Sequence, residues 1–149
     1  LAGERPGRAK RAYALEPGLW FRPLEGPGAA ERLSAAWAEA GEPGPVPGAS
    51  LALEGLLEEE LAGLLHMAPE TGRIYLAYIR PEFRRRGLGI QLLGQAVLHT
   101  RAQGGEELSA ALFPGSPGEA YLRDCGFAPQ GAAEGRTLWR KRIGFDPSV

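Results

Sequence analysis

Residues 81–93, PEFRRRGLGIQLL, decide the fold assignment. Three arginines, a Gly-Leu-Gly turn and a run of apolar residues follow directly after a strand-like segment, RIYLAYIR, at residues 73–80. Glycines let the backbone approach a ligand closely, and the N–H groups at a helix N-terminus are unpaired and carry the positive end of the helix dipole. The stretch therefore predicts a loop that binds phosphate oxygens through main-chain N–H groups, with the arginines as additional charge-assisted donors.

Two other interpretations of this stretch stay open from the residues alone. The arginines could be a solvated charge run, and the glycines could only make a tight turn between a strand and a helix. The stretch could also be another kind of nucleotide loop, but GxGxxG needs a glycine at position 92, where the chain has Leu92, and a Walker loop needs Gly-Lys-Ser/Thr. The spacing speaks against this last class.

The bulk composition predicts one globular unit, because 149 residues fit a single domain and a hydrophobic content of 44% is enough for a buried core. A net charge of -1 provides no overall basic field, so neither nucleic acid nor a membrane is an expected partner and any anion site must be local. Cys125 is the only cysteine, which excludes an intrachain disulfide and a thiolate cluster. We therefore expect no metal, and a reducing, cytoplasmic location.

The hydrophobic pattern predicts an N-terminal arm over residues 1–18, which are basic and rich in Gly and Pro, and a single domain over residues 19–149. Strands are predicted at residues 20–24, 73–80, 107–113 and 136–143, and helices at residues 31–40, 89–102 and 117–125. Residues 49–67 can be interpreted as a helix with a leucine repeat or as two strands. Gly55 and Gly63 favour a hairpin of residues 50–56 and 60–67.

Two blocks together resemble the GNAT superfamily of N-acetyltransferases. IYLAYIRPEFRRRGLGIQLL is similar to the family's acetyl-CoA-binding motif, Arg/Gln-x-x-Gly-x-Gly/Ala after a strand that ends in a Pro-containing turn, which falls on Arg84, Gly87 and Gly89. GEAYLRDCGFAPQG is similar to the family's later motif, a short helix that ends in Gly-Phe, here Gly126-Phe127. The resemblance covers about residues 19–143. It implies an α+β fold: a mixed, mostly antiparallel sheet of six or seven strands, flanked by helices on both faces, with a V-shaped splay between strands 4 and 5.

The resemblance also implies where acetyl-CoA binds as a co-substrate. The pantetheine arm would lie in the splay against the backbone of the fourth strand, and the diphosphate would bind to main-chain N–H groups of the loop. The implied coenzyme-binding residues are Ile79, Arg84, Arg85, Arg86, Gly87, Leu88, Gly89, Ile90 and Ser116. A backbone N–H near Ile79 is the expected oxyanion donor in catalysis.

The side chains that the family uses for proton transfer are largely replaced. Many members carry a Tyr four residues before the Gly of Gly-Phe as the acid, and this chain has Leu122 there. Its neighbour Tyr121 becomes the candidate acid, although one step along a helix turns a side chain by about 100°. Gly115 stands where the family frequently has an Asn. Arg73 stands where some members have a Glu that acts as the general base. His66 is a further candidate proton acceptor, with packing as its structural alternative, and the base stays unassigned.

The predicted function is the transfer of an acetyl group from acetyl-CoA to a primary amine, by direct attack in a ternary complex. The acceptor would be a small molecule or a peptide, and a homodimer is one option. The alternative is a non-catalytic module of the same fold that binds acyl-CoA as a sensor or an assembly domain. The segment between the first two strands has one helix and a Pro/Gly-rich loop where the family has two helices, so the acceptor side is the least typical part. Tyr75 and Tyr78 are expected on opposite faces of their strand.

Overall fold

Seven strands form one mixed sheet in the computed structural model of the protein, which describes residues 18–42, 46–48 and 51–144. The strands are β1 (Leu19–Pro23), β2 (Leu51–Leu57), β3 (Glu60–Ala68), β4 (Arg73–Ile79), β5 (Glu107–Leu112), β6 (Ala128–Ala133) and β7 (Arg136–Arg142), and the helices are α1 (Ala29–Glu39), α2 (Leu88–Ala102) and α3 (Gly118–Asp124). The predicted arm lies outside the described residues except for Gly18. Within the described residues no helix is both long and apolar enough to span a membrane.

The strand order is β1-β2-β3-β4-β5-β7-β6, and only β4 and β5 run parallel to each other. Their ladder consists of two pairs, Arg73 with Ser109 and Ile74 with Ala110, both at the beginning of the strands. Beyond these pairs the two strands separate, so the remainder of β4 has no partner strand on that edge. The predicted α+β layered sheet and its splay between the fourth and fifth strands are confirmed.

The β2–β3 hairpin settles the ambiguity of residues 49–67 in favour of strands. Glu58 and Glu59 make the turn with φ angles of 52° and 73°, the left-handed pair that a two-residue hairpin requires. Gly55 and Gly63 face each other across the ladder. A Cβ at Gly63 would lie 2.5 Å from the Tyr78 carbonyl oxygen on β4, so only glycine fits at this close backbone approach.

The main core lies between the sheet and the helices α2 and α3. Leu92 and Ala96 of α2 are buried against β3 and β5, and Trp139 of β7 is 1% exposed. This core cluster contains Leu53, Leu65, Met67, Ile74, Leu92, Leu93, Ala96, Leu108, Ala110, Leu122, Phe127, Trp139 and Ile143. A second core on the opposite face packs α1 against Leu64 and Leu76. The helices therefore cover both faces of the sheet, as predicted.

A bulge in β4 places Tyr75 and Tyr78 on the same face. The register pairs Met67 with Ile74 and then His66 with Leu76, so Tyr75 is an extra residue without an opposite partner. Both tyrosines consequently pack against the α1 cluster. The prediction of opposite faces was wrong, because it assumed an uninterrupted period of two along the strand.

β6 is the strand that the sequence pattern did not predict. Its sequence, APQGAA, contains no β-branched or aromatic residue, and all six residues are exposed. It pairs only with β7, at the edge of the sheet, and the ladder is interrupted between Pro129 and Ala132. An edge strand can contain proline because its outer N–H groups have no partner strand to lose.

His66 is neutral in the second core. Its Nδ1 accepts a hydrogen bond of 3.1 Å from Trp37 Nε1, and an indole nitrogen can only donate, so Nδ1 carries no proton. The residue is 1% exposed, and burial lowers the pKa of its imidazole. The rings of Trp37 and Tyr75 both lie 5.7 Å from the imidazole, centroid to centroid. The structure thus gives His66 a packing role.

We expect the free energy of unfolding to fall as the pH drops from about 7 to about 5. Below its ordinary pKa of about 6.5 the unfolded chain binds a proton at His66 that the folded chain does not, and the loss continues until the pH passes the lowered folded pKa. Urea denaturation at a series of pH values measures the slope. His66→Gln should flatten the slope between pH 5 and 7. Equal slopes in the wild type and in His66→Gln would contradict the assignment.

Candidate active site

The open edge of β4 presents the backbone of Ile79. The Arg80 N–H donates to the Ala62 carbonyl on β3 at 2.8 Å. Because N–H and C=O groups of successive strand residues point to opposite edges, the Ile79 N–H and carbonyl point away from β3, toward the side where β5 has separated. The backbone group predicted to contact the coenzyme and to act as the oxyanion donor therefore faces the splay.

The phosphate loop begins with a 3-10 turn, Pro81–Phe83, in which the buried Phe83 fixes the loop to the sheet. Two residues of the loop are left-handed, Arg85 with φ 67° and Gly87 with φ 77°. Gly87 is the N-cap of α2 and makes no side-chain cap, so the N–H groups of Leu88, Gly89 and Ile90 form the uncapped first turn. A non-glycine residue held at positive φ stores about 1–2 kcal/mol of strain, as is common in ligand-binding loops.

Arg84 connects the loop to the end of β4. Its Nε donates to the Ile79 carbonyl at 2.8 Å, and its guanidinium carbon lies 5.7 Å from the centroid of the Tyr78 ring. Arg85 and Arg86 are exposed beside it. The sequence predicted a phosphate contact for Arg84. The structure adds a contact between residues five positions apart that holds the loop in place.

The segment around α3 completes the site from the other side. The Tyr121 hydroxyl donates to the Gly89 carbonyl at 2.6 Å, and burial raises the pKa of this phenol well above its usual range. Ser116 Oγ is buried and has no hydrogen-bond partner within the part of the chain that the structure describes. Leu122, which stands at the family's acid position, is 4% exposed in the main core. The described residues therefore place a buried apolar side chain where the family's acid would be.

Polar residues on the α1 side of the splay were missed by the sequence analysis. The Glu39 carboxylate accepts hydrogen bonds of 3.0 Å from the Tyr78 hydroxyl and from Arg80 Nε. Burial, together with the bond to Glu39 and its negative charge, raises the pKa of Tyr78. Glu39 comes from the end of a helix and its partners from β4, so no sequence spacing would have indicated this group.

A second ion pair lies on the other side of the splay, beside β5 and β7. Arg136 of β7 lies 3.5 Å from the Glu42 carboxylate, donates to the Ala111 carbonyl at 3.2 Å, and stacks over the Phe113 ring. The C-terminal end of α1 and the residues after it thus contact both sides of the splay. Glu39 contacts β4, and Glu42 contacts β7.

The sheet and α3 also position Arg73, Cys125 and the acidic residues 58–60. Arg73 pairs with Ser109 at the opposite end of β4. The half-buried Cys125 follows α3, and burial raises the pKa of its thiol. Residues 58–60 form the exposed tip of the hairpin. Among the described residues, no group of three or more His, Cys, Asp or Glu side chains could hold a metal ion.

A model of the acetyltransferase (GNAT) family matches residues 19–127, which is more than half of the chain. The chain belongs to the GNAT family. A search of curated protein sequences finds no significant match. This GNAT domain carries both family motifs on the elements where the resemblance placed them, the first between β4 and α2 and the second at α3.

Solved structures share the GNAT fold at low sequence identity. The chain is 18% identical to a GNAT-family protein from Desulfovibrio desulfuricans, covering 85% of this chain and 99% of that one with a TM-score of 0.68. It is 14% identical to a GNAT-family acetyltransferase from Elizabethkingia anophelis with acetyl-CoA bound, covering 85% and 99% with a TM-score of 0.61. It is 19% identical to the PaiA N-acetyltransferase from Thermoplasma acidophilum in complex with coenzyme A, covering 61% and 59% with a TM-score of 0.55. At these identities the likeness establishes the fold alone.

Proposed function

We propose that this GNAT domain transfers an acetyl group from acetyl-CoA to a primary amine. One observation carries the proposal: β4 leaves β5 after Ile74, turns the backbone of Ile79 into the gap, and is followed at once by the uncapped N-terminus of α2. This arrangement offers an extended groove for a pantetheine arm and an anion site for a diphosphate at its end. Related structures bound to coenzyme A and acetyl-CoA support the same ligand.

The donors present fit acetyl-CoA. The N–H groups of Leu88, Gly89 and Ile90 suit the diphosphate, and three exposed arginines, Arg84 to Arg86, add positive charge next to them. The buried Ser116 Oγ has no hydrogen-bond partner among the described residues, although a buried hydroxyl is normally hydrogen-bonded. We assign it to the coenzyme.

In this proposal the amine attacks the thioester directly, within a ternary complex. The Ile79 N–H would donate to the carbonyl oxygen as negative charge develops there, which is where a preorganised donor is most effective. The amine, from a small molecule or a peptide, would enter from the α1 side, next to the ion pairs of Glu39 with Arg80 and of Glu42 with Arg136, and would attack in its neutral form. With Leu122 in the core, the departing thiolate would take its proton from water, and the attacking amine would lose its proton to water as the amide forms and the C–S bond breaks.

The second candidate is a non-catalytic acyl-CoA-binding module of the same fold. Leu122 in the main core and the Tyr121 hydroxyl bonded to Gly89 favour it, because both leave the splay without a conventional acid. A panel of amines assayed for release of free CoA separates the two candidates. Turnover above the hydrolysis of the coenzyme alone supports the enzyme, and its absence for every acceptor class supports the module. Either activity is assigned to residues 19–149, with residues 1–18 as an arm.

We expect calorimetric titration to detect tight binding of acetyl-CoA and no binding of NADH or ATP. Arg84→Ala should weaken acetyl-CoA binding by about tenfold, because it removes a charge next to the diphosphate and the bond that ties the loop to Ile79. Arg142→Ala, at an exposed ion pair with Glu106, is the matched control and should bind like the wild type. Absence of acetyl-CoA binding in the wild type would refute both candidate functions together.

A further inference from the structure

We propose that Tyr121 is a positioning residue for the diphosphate site: its hydroxyl fixes and polarises the peptide unit between Gly89 and Ile90. The inference rests on the proposed function, because it takes the Ile90 N–H to be a diphosphate donor. The two residues that form the contact are 32 positions apart and belong to different helices. The bond therefore joins α3, which carries the second family motif, to the first turn of α2, which carries the end of the first motif.

The chemistry follows from which atoms share a peptide plane. The carbonyl that accepts the 2.6 Å bond from Tyr121 belongs to Gly89, and the N–H on the same peptide belongs to Ile90, in the first turn of α2. In a helix that carbonyl points toward the C-terminus and that N–H toward the N-terminus, where the anion would bind. A donor on the oxygen draws electron density toward it, so the N–H becomes a stronger donor; such cooperative strengthening is of order 10–30% per bond.

The same contact explains why position 89 is glycine. A Cβ at Gly89 would lie 2.8 Å from Tyr121 Cε1 and 3.1 Å from its hydroxyl oxygen. Gly89 is not among the glycines with positive φ, whereas Gly87 is. The two glycines of Gly-Leu-Gly are therefore required for different reasons: Gly87 provides a left-handed N-cap, and Gly89 leaves room for the tyrosine ring.

This role replaces the one suggested by the sequence for Tyr121. The hydroxyl proton already lies in a bond to a main-chain oxygen on α2, and burial of the ring raises its pKa, which makes it a poor acid. A tyrosine one residue from the family's acid position thus acts on the binding of the coenzyme rather than on the proton of the thiolate.

The first test compares Tyr121→Phe with the wild type by calorimetric titration with CoA and by the amide spectrum of the free protein. We expect about fivefold weaker binding and an upfield shift of the Ile90 amide proton, with little change in melting temperature. Tyr75→Phe, on the opposite face of the sheet, should change neither quantity. Unchanged CoA affinity and an unmoved Ile90 amide would overturn the inference. If the wild type itself does not bind CoA, the proposed function fails, and the Ile90 shift still decides whether the contact polarises this peptide.

The second test is a double-mutant cycle that isolates the packing of Tyr121 on Gly89. Gly89→Ala in the wild type should weaken CoA binding by about tenfold or more, because the added methyl group displaces the ring or the helix turn. In a Tyr121→Leu background the same change should weaken binding by less than about twofold, since the atoms it meets are gone. Equal losses in both backgrounds would show that position 89 needs glycine for another reason and would overturn the packing argument.

Discussion

Gly72→Ala should lower the free energy of unfolding by about 3 kcal/mol or more, enough to unfold a marginally stable domain. Gly72 has a φ of 76°, and a Cβ there would overlap the carbonyl oxygen of Glu107. The Gly72 carbonyl also accepts the Ser109 N–H at 2.9 Å, at the start of the short β4–β5 ladder. The clash is with the backbone of Glu107 and Leu108, so no side-chain rotation can relieve it. Urea denaturation followed by circular dichroism measures the loss.

Gly104→Ala is the matched control. Its φ is 84°, but a Cβ would meet no atom within 4 Å, so only the conformational strain of about 1 kcal/mol applies. The difference between the two variants therefore measures the close approach of β4 and β5. If both variants lost the same free energy of unfolding, the claim that the backbones of Gly72 and Glu107 leave no room for a side chain would be contradicted.

Gly87→Val should weaken acetyl-CoA binding by about 30-fold or more. A β-branched residue is strongly disfavoured at a φ of 77°, and the strain of about 2 kcal/mol would be relieved by rotating the N-cap out of the left-handed region. That rotation redirects the N–H groups of the loop on which the diphosphate site depends. Calorimetric titration gives the affinity, and circular dichroism shows whether the helix content is kept.

Gly94→Ala provides the control on the same helix. Gly94 is exposed within α2, and a Cβ there would meet no atom within 4 Å. Alanine should therefore raise the free energy of unfolding by about 0.5–1 kcal/mol and leave the affinity unchanged. If Gly87→Val bound acetyl-CoA as well as Gly94→Ala does, the loop would be only a tight turn with a solvated arginine run.

Local chemistry explains which parts of the fold could be predicted. The turn between β4 and α2 was identifiable because a left-handed N-cap glycine, a proline-ended strand and an amphipathic helix each have a sequence signature within a few residues. The hairpin of β2 and β3 was identifiable in the same way, from glycines at fixed offsets. The helix α2 was predicted from residue 89 and begins at Leu88, and β1 was predicted one residue late, at residues 20–24, which is the usual uncertainty of element ends.

Features that depend on pairing across the sheet escaped prediction. β6 has no strand-forming residues of its own and exists because β7 offers a free edge. The bulge at Tyr75 arises where β4 must match β3, so it reversed the expected face of one tyrosine. Glu39 with Tyr78, and Glu42 with Arg136, meet only after α1 has crossed the splay.

The sequence by itself determined the family, the sheet with its splay, and the Gly-Leu-Gly turn that begins α2, because these follow from turn chemistry and from two motifs in the right order. Only the tertiary structure decided the roles of individual side chains. Arg84 bonds to Ile79, and Tyr121 bonds to Gly89 from another helix. The Arg84–Ile79 contact spans five residues and depends on how the turn between β4 and α2 folds. The Tyr121–Gly89 contact joins residues 32 positions apart, so it requires two helices to be brought together by the packing of the whole sheet, whereas a motif fixes backbone conformation only within a few residues.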